Sequence, residues 1–227
     1  VRLFVNDREV FPFWGSSLHL LQTAKNYRDT QITLLHPVLG LESAWRGPGA
    51  YDWKMIDAFL ARLLTIVPDA FFLPRLHLDT PEWWKDAHPD ELTVYGLPTK
   101  ESEYNLMKQR SIPVLEGGHV LRMGADLREA SFASTLWRND TAAMVTAFIQ
   151  HIEESPLRSR LIGYHPTTGR TAEWNYFGEM YLPDYSPPMK RALGDLPDVT
   201  ARRTTTYGLL RDPGKEADVM RFYTGYH

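Results

Sequence analysis

Short apolar runs alternate with amphipathic helical runs along most of this chain, and that alternation restricts its fold more than any other feature. Gln31 to His36 is a compact apolar strand stopped by Pro37. Ile56, Phe59, Leu60, Leu63, Leu64 and Val67 then step by three and four, which puts them on one helical face. Asp52 stands where an N-cap would, and Pro68 ends the run. Ala70 to Leu78 is the next apolar strand, with Pro74 inside it. A second helix is predicted over about Asp140 to Glu154, with Met144, Val145, Phe148, Ile149 and Ile152 facing inward, and Leu161 to Tyr164 follows as a strand ending near His165-Pro166. Ahead of all this, Arg2 to Phe13 reads as two short strands around the turn pair Asn6-Asp7, and Leu18 to Tyr27 as a short helix with Leu20, Leu21 and Ala24 on one side. The order is strand, helix, strand, helix, strand, long insertion, helix, strand. Such alternation predicts an α/β fold with parallel strands and crossover helices.

The insertion, 80–139, is too long for an ordinary connection. Within it, Ile112 to Leu115 and His119 to Met123 flank Glu116-Gly117-Gly118 and read as a hairpin. Long excursions after a parallel strand are where such folds place binding loops. Past Gly178 the pattern weakens, with short helices predicted over Tyr185 to Leu193 and Lys215 to Tyr226. No run approaches the roughly 18 apolar residues of a membrane span, and 25 basic against 28 acidic residues leave no charge excess for nucleic acid. With no cysteine there is no disulfide, thiolate metal site or cysteine nucleophile. Localisation is not readable. The start at Val1, without a methionine, and the stop at His227 inside a predicted helix lead us to expect a piece of a longer protein.

Three runs carry chemistry. In Gly163-Tyr164-His165-Pro166-Thr167-Thr168-Gly169-Arg170-Thr171-Ala172-Glu173-Trp174-Asn175-Tyr176-Phe177-Gly178, a strand leads into a glycine-punctuated loop with one carboxylate among aromatics. Partial desolvation raises the pKa of such a carboxyl, which then stays protonated near neutrality and can act as a general acid. The second run is Trp45-Arg46-Gly47-Pro48-Gly49-Ala50-Tyr51-Asp52-Trp53, and the third is Pro74-Arg75-Leu76-His77-Leu78-Asp79-Thr80-Pro81-Glu82-Trp83-Trp84. In order and spacing, over most of residues 10–180, these runs resemble the second, third and fourth strands of clan-A glycoside hydrolases. They are most similar to the β-galactosidase-like (family 42-like) catalytic domain. One position departs from the pattern. The clan places Asn just before its acid/base Glu to bind the sugar 2-hydroxyl, and here that position is Ala172, so either another group, such as Asn175, serves, which we favour, or Glu173 is not the homologous residue.

The resemblance implies a partial (β/α)8 TIM barrel, about its first four strand-helix units, with an N-terminal hairpin and the 80–139 insertion in one catalytic-type domain over 1–227. It implies a retaining mechanism in which two carboxylates stand about 5–5.5 Å apart, with Glu173 as general acid/base and the nucleophilic Glu on a seventh strand. Only four crossover strands are readable, against the eight of a closed barrel. Glu179, Asp184 and Asp79 are local carboxylates without a motif behind them. We therefore expect an acid/base half-site, inactive alone, completed by further sequence or by a second copy. The expected carbohydrate-binding residues are Trp14, Trp45, Arg75, Asp79, Trp84, His165, Trp174 and Asn175, and no cofactor is implied. Arg75 reads equally as a buried ion-pair member. Two rival readings stand beside this one. His36, His77 and His165 fall near strand ends and could hold a metal that activates water, or the tryptophans could serve a carbohydrate-binding domain without catalysis. Trp83 and Trp84, read as strand neighbours, would point to opposite faces, leaving one exposed.

Overall fold

A computed structural model describes residues 3–11, 13–16, 19–94, 111–113, 120–122, 128–169, 174 and 184–193. The chain opens with a hairpin, β1 (Leu3–Val5) and β2 (Arg8–Val10). Asn6 and Asp7 both take positive φ, 49° and 61°, as a two-residue primed turn requires. There follow β3 (Trp14–Gly15), α1 (Leu20–Asp29), β4 (Leu34–Leu35), β5 (Val38–Gly40) and α2 (Leu41–Ala44). A small hairpin of β6 (Trp45–Gly47) and β7 (Ala50–Tyr51) leads to α3 (Lys54–Ile66). Next come β8 (Phe71–Phe72), β9 (Arg75–His77) and α4 (Glu82–Ala87). The insertion holds the antiparallel pair β10 (Ser111–Pro113) and β11 (Val120–Arg122), and the chain continues through α5 (Thr135–Glu153), β12 (His165–Thr167) and α6 (Pro187–Leu193).

The architecture is mixed α/β with parallel sheets. β3, β4 and β8 pair in parallel, as do β5, β9 and β12, and Phe72 bridges Leu161 in parallel. Four strand segments therefore lie side by side in chain order: 14–15, 34–40, 71–77 and 161–167. Pro37 does not stop its strand. The register of Leu35 with Phe72 and of Val38 with Arg75 places Pro37 directly beside Pro74. Neither proline has an N–H to give, so the ladder parts at that level and resumes beyond it. The Pro37 carbonyl accepts from Arg75 N at 2.8 Å, and the Pro74 carbonyl from His165 N at 2.9 Å.

The two faces of this sheet differ. Leu35, Leu39, Phe72 and Leu76 all belong to one core with Leu20 and Ala24 of α1, Ile56, Phe59, Leu60 and Leu63 of α3, and Met144, Phe148 and Ile152 of α5. Alternate residues point the other way. Leu34 and Phe71 form a separate cluster with Val10, packed by Leu3 and Val5, so the hairpin seats against the N-terminal end of that second face. Arg8 reaches Asp69 at 2.9 Å and Asn6 the Ser159 carbonyl at 3.3 Å, which tie the hairpin to the turns ahead of β8 and of the fourth strand. Gly15 faces α1, where a Cβ would stand 2.8 Å from the Tyr27 ring. Close helix approach is the reason that residue is glycine.

Two of the helix starts that differ from expectation are set by caps. α3 begins at Lys54, whose N–H donates to Asp52 Oδ1 at 3.3 Å, so Asp52 caps from one residue further out. α5 starts five residues earlier than its periodicity indicates, because Ser134 Oγ accepts from Trp137 N at 3.1 Å. Among the described residues no helix is long and apolar enough to cross a membrane.

Candidate functional site

Above the hairpin plug, the second face of the sheet turns polar. In register, Val38 lies beside Arg75 and Arg75 beside His165, with Gly40, His77 and Thr167 one level nearer the C-terminal ends. His165 reaches this face through an irregularity. Leu161 bridges Phe72 and His165 pairs with Arg75, so four steps on the fourth strand match three on its neighbour. The extra residue is a β-bulge, and it reverses which side chains point inward. Leu161 and Tyr164 pack on the helix-side core, whereas His165 turns to the polar face.

There His36 Nε2 meets His165 Nδ1 at 3.2 Å, and Ser16 Oγ lies 3.5 Å from His36 Nδ1. Trp14 stands beside the pair, its ring centre 5.9 Å from that of His36. His36 and His165 come from strands two places apart, roughly 9–10 Å in a flat sheet. Their contact shows that the sheet is concave on this side. Burial, with His165 and Arg75 adding to it, pushes the His36 imidazole down to about 4, so this ring is neutral at pH 7.

At the C-terminal ends, Asp79 joins the third strand to the segment after the fourth. Its Oδ1 accepts from Thr168 Oγ1 and from Gly169 N, each at 3.2 Å, and Oδ2 lies 3.9 Å from His77 Nδ1. Leu78 N donates to the Thr167 carbonyl at 2.8 Å in the same joint. The next residue, Thr80, is held by a buried network from the returning insertion. Its N–H donates to Glu129 Oε2 at 2.8 Å, and its Oγ1 accepts from Ala130 N at 3.0 Å. Lys85, fully buried on α4, donates to Glu129 Oε1 at 2.7 Å and to Glu82 Oε1 at 3.3 Å. Glu42, buried at 7% exposure, lies on α2 two residues past β5 and accepts from Ser43 Oγ at 3.4 Å.

The structure divides the expected site residues into three groups. Trp14, Arg75 and His165 share the concave face, and Asp79 lies at its C-terminal rim. Trp174, half exposed, donates its indole N–H to the Pro166 carbonyl at 3.2 Å, next along the chain from His165. Trp45 and Trp84 are corrected to core positions. Trp84 is fully buried and donates to Asp140 Oδ2 at 2.9 Å, while Trp45, 4% exposed, receives the Trp83 indole N–H on its carbonyl at 2.9 Å. Both Trp83 and Trp84 lie on α4 and not on a strand. Asp184 is likewise structural: fully buried, it accepts from Val94 N, Ser186 N and Ser131 Oγ. Glu173, Asn175, Glu179, Ala172 and the helix predicted over Lys215 to Tyr226 lie outside the described residues.

Of the three histidines weighed as metal ligands, His36 and His165 meet. Among the described residues no group of three or more His, Asp or Glu side chains is placed to hold a metal ion. An ion midway between the facing nitrogens would sit about 1.6 Å from each, well inside the roughly 2.0–2.1 Å of a zinc–imidazole bond. The spacing suits a shared proton. Sequence reasoning missed Ser16, Glu42 and the Lys85–Glu129–Thr80 network. For Glu42 a signal existed, since a carboxylate two residues past a strand sits at the functional end of a parallel sheet. At the opposite end a cavity of about 440 Å³ opens beside the hairpin, but its arginines are engaged, Arg8 with Asp69 and Arg28 with Asp29.

No family model matches the chain, and no curated protein matches it significantly. Among solved structures, it is similar to the crystal structure of a β-galactosidase from the psychrophilic Marinomonas ef1, with a TM-score of 0.48 and 18% sequence identity. The match covers 80% of this chain and 24% of that one, so the chain spans about a quarter of the length of that structure.

Proposed function

We propose that this chain supplies the acid/base half of a retaining glycoside hydrolase of β-galactosidase-like type. In this reading Glu173 protonates the leaving oxygen and then activates water, while the nucleophilic carboxylate comes from strands outside the four described. Those four would be the first strand-helix units of a (β/α)8 barrel in one catalytic-type domain over 1–227, with 80–139 laid over the strand ends. Further sequence or a second copy would supply the rest. The substrate is a carbohydrate, and the mechanism needs no cofactor.

One observation carries the reading. Asp79 anchors Gly169, four residues ahead of Glu173 in the sequence, to the rim of a concave sheet face that bears Arg75, His36, His165 and the exposed ring of Trp14. Parallel sheets gather their chemistry at this end of their strands. The Ala172 departure fits a site whose hydroxyl contacts come from the sheet face in place of the residue before the acid.

In the whole parent protein, Glu173→Gln should slow hydrolysis by roughly 10²–10⁴-fold for substrates with poor leaving groups. The loss should be smaller for activated aryl glycosides. Turnover near the wild-type rate would remove Glu173 from the mechanism. The half-exposed Trp14 and Trp174 support a second reading, a carbohydrate-binding domain, for which sugar binding without any turnover by the parent is the signature.

A further inference from the structure

Two imidazoles in line on a sheet face are a specific device. The His36 and His165 ring centres are 5.4 Å apart with planes 20° from parallel, and the facing nitrogens are 3.2 Å apart. A ring nitrogen lies about 1.1 Å from the centre of its ring, so both nitrogens fall close to the line between the centres. The rings therefore meet edge to edge through one N–H···N hydrogen bond. A second proton between them would set N–H against N–H, so the pair holds one.

The far nitrogen of His36 faces Ser16 Oγ, a hydroxyl that can give or take a proton. Whichever direction the protons point, the three groups are coupled. The tautomer of His36 sets that of His165, and it fixes the plane of the His165 ring. The remaining nitrogen, His165 Nε2, belongs to an exposed residue, while His36 behind it is 8% exposed. Beside the pair stands Trp14, 54% exposed, its ring 5.9 Å from His36. An exposed indole face next to a directed polar nitrogen matches a pyranose, which offers an apolar C–H face and hydroxyls at its edge.

We propose that Ser16, His36 and His165 form a hydrogen-bond relay whose outward end, His165 Nε2, binds a hydroxyl of a neutral pyranose stacked on Trp14. The proposal rests on the glycoside reading above and adds to it a contact and a positioning residue. His165 touches the sugar, and His36 acts only through His165.

The test is a titration of the whole protein with methyl β-galactoside, read by tryptophan fluorescence and by the imidazole ¹⁵N resonances of the two histidines. In the wild type the His165 resonances should move with the Trp14 signal. His36→Leu, which breaks the relay, should weaken binding about five- to tenfold, the loss of one oriented hydrogen bond. His36→Gln, whose amide N–H can still donate to His165 Nδ1, should recover most of that loss, which a purely structural role for His36 would not produce. Ser16→Ala tests the relay without touching the core, and should change the tautomer ratio of His36 while leaving the fold intact. If the wild type binds the sugar but Leu and Gln at position 36 bind it equally, the relay is overturned and the glycoside reading stands. An indifferent His165 resonance during binding overturns the relay as well. No binding by the wild type up to molar sugar overturns both.

Discussion

The clearest energetic test is the buried lysine of α4. Lys85 Nζ has no exposed surface and makes its short contact, 2.7 Å, with a Glu129 carboxylate that is 8% exposed. Its second partner, Glu82 at 3.3 Å, is half exposed and adds little. Lys85→Met keeps the aliphatic length of the side chain but leaves the Glu129 charge buried without its cation. Breaking a buried pair this way costs about 3–5 kcal/mol. In a chain of this size that lowers the melting temperature by roughly 6–20 °C. Glu129→Gln alone leaves the ammonium buried against a neutral amide and should also destabilise. The double substitution removes both charges, so its cost should fall short of the sum by about 0.5–3 kcal/mol, the range found for contacting residues. Urea unfolding of the four proteins, followed by far-ultraviolet circular dichroism, gives the coupling directly. Additivity within about 0.5 kcal/mol would refute the reasoning, as would a single Lys85→Met cost below about 1 kcal/mol, since either means that the two groups do not depend on each other for burial. A functional consequence is built in. Glu129 also holds the Thr80 N–H, so the single variant should loosen Asp79 next door.

Other consequences are as concrete. Asp79→Ala removes the acceptor for Thr168 Oγ1 and Gly169 N, and amide exchange at Gly169 should quicken at least tenfold, whereas an unchanged rate would separate the two strand ends. Gly15→Ala forces a Cβ to 2.8 Å from the Tyr27 ring and should cost about 1–3 kcal/mol in thermal unfolding, relieved by pairing it with a smaller residue at position 27. Trp84→Phe keeps most of the packing but leaves Asp140 without its indole donor, for a loss of about 1–2 kcal/mol, and a neutral result would mean that water takes the place of the indole. His36 has a folded pKa of about 4, below its ordinary 6.5, so the unfolded chain binds the extra proton first on acidification. Its contribution to stability is complete above about pH 6.5 and drains away towards pH 4. Unfolding of the wild type should therefore be more sensitive to pH across that window than unfolding of His36→Gln, and parallel profiles would disprove it.

Much of this fold is legible in the sequence because local physics and tertiary packing agree. Asn6 and Asp7 tolerate the positive φ the hairpin demands, and the three-and-four spacing from Ile56 to Leu63 is the face α3 buries. The prolines misled in one respect. Pro37 reads as a stop because a lone proline breaks a ladder, and only the partner strand shows that Pro74 stands beside it and shares the gap. The bulge before His165 has no compositional mark, since a single extra residue changes no pattern of hydropathy, yet it decides which face the imidazole joins. Trp83 and Trp84 were expected to split between two strand faces. On a helix they lie about 100° apart, and Trp84 enters the core while Trp83 covers Trp45. The burial of Lys85 carries no mark in the sequence, because its partner Glu129 is 44 residues away, a distance that no local window spans.

The order of the strands has a consequence for synthesis. Each parallel strand lies beside the one made before it, so a chain leaving the ribosome always presents its newest strand to an edge already in place. The hairpin precedes the sheet strands in the chain and finds its seat as Leu34 and then Phe71 follow it. The wait falls between the third strand and the fourth, where residues 78–160 must be translated before Leu161 can reach Phe72. At ordinary elongation rates that interval is roughly 4–16 s. Throughout it the edge of the third strand stands open, and the buried lysine network of α4 can close only past its midpoint, when Glu129 arrives. A ribosome paused inside the insertion would hold a three-stranded sheet with the edge of the third strand unpaired, which is the state that nascent-chain chaperones exist to cover.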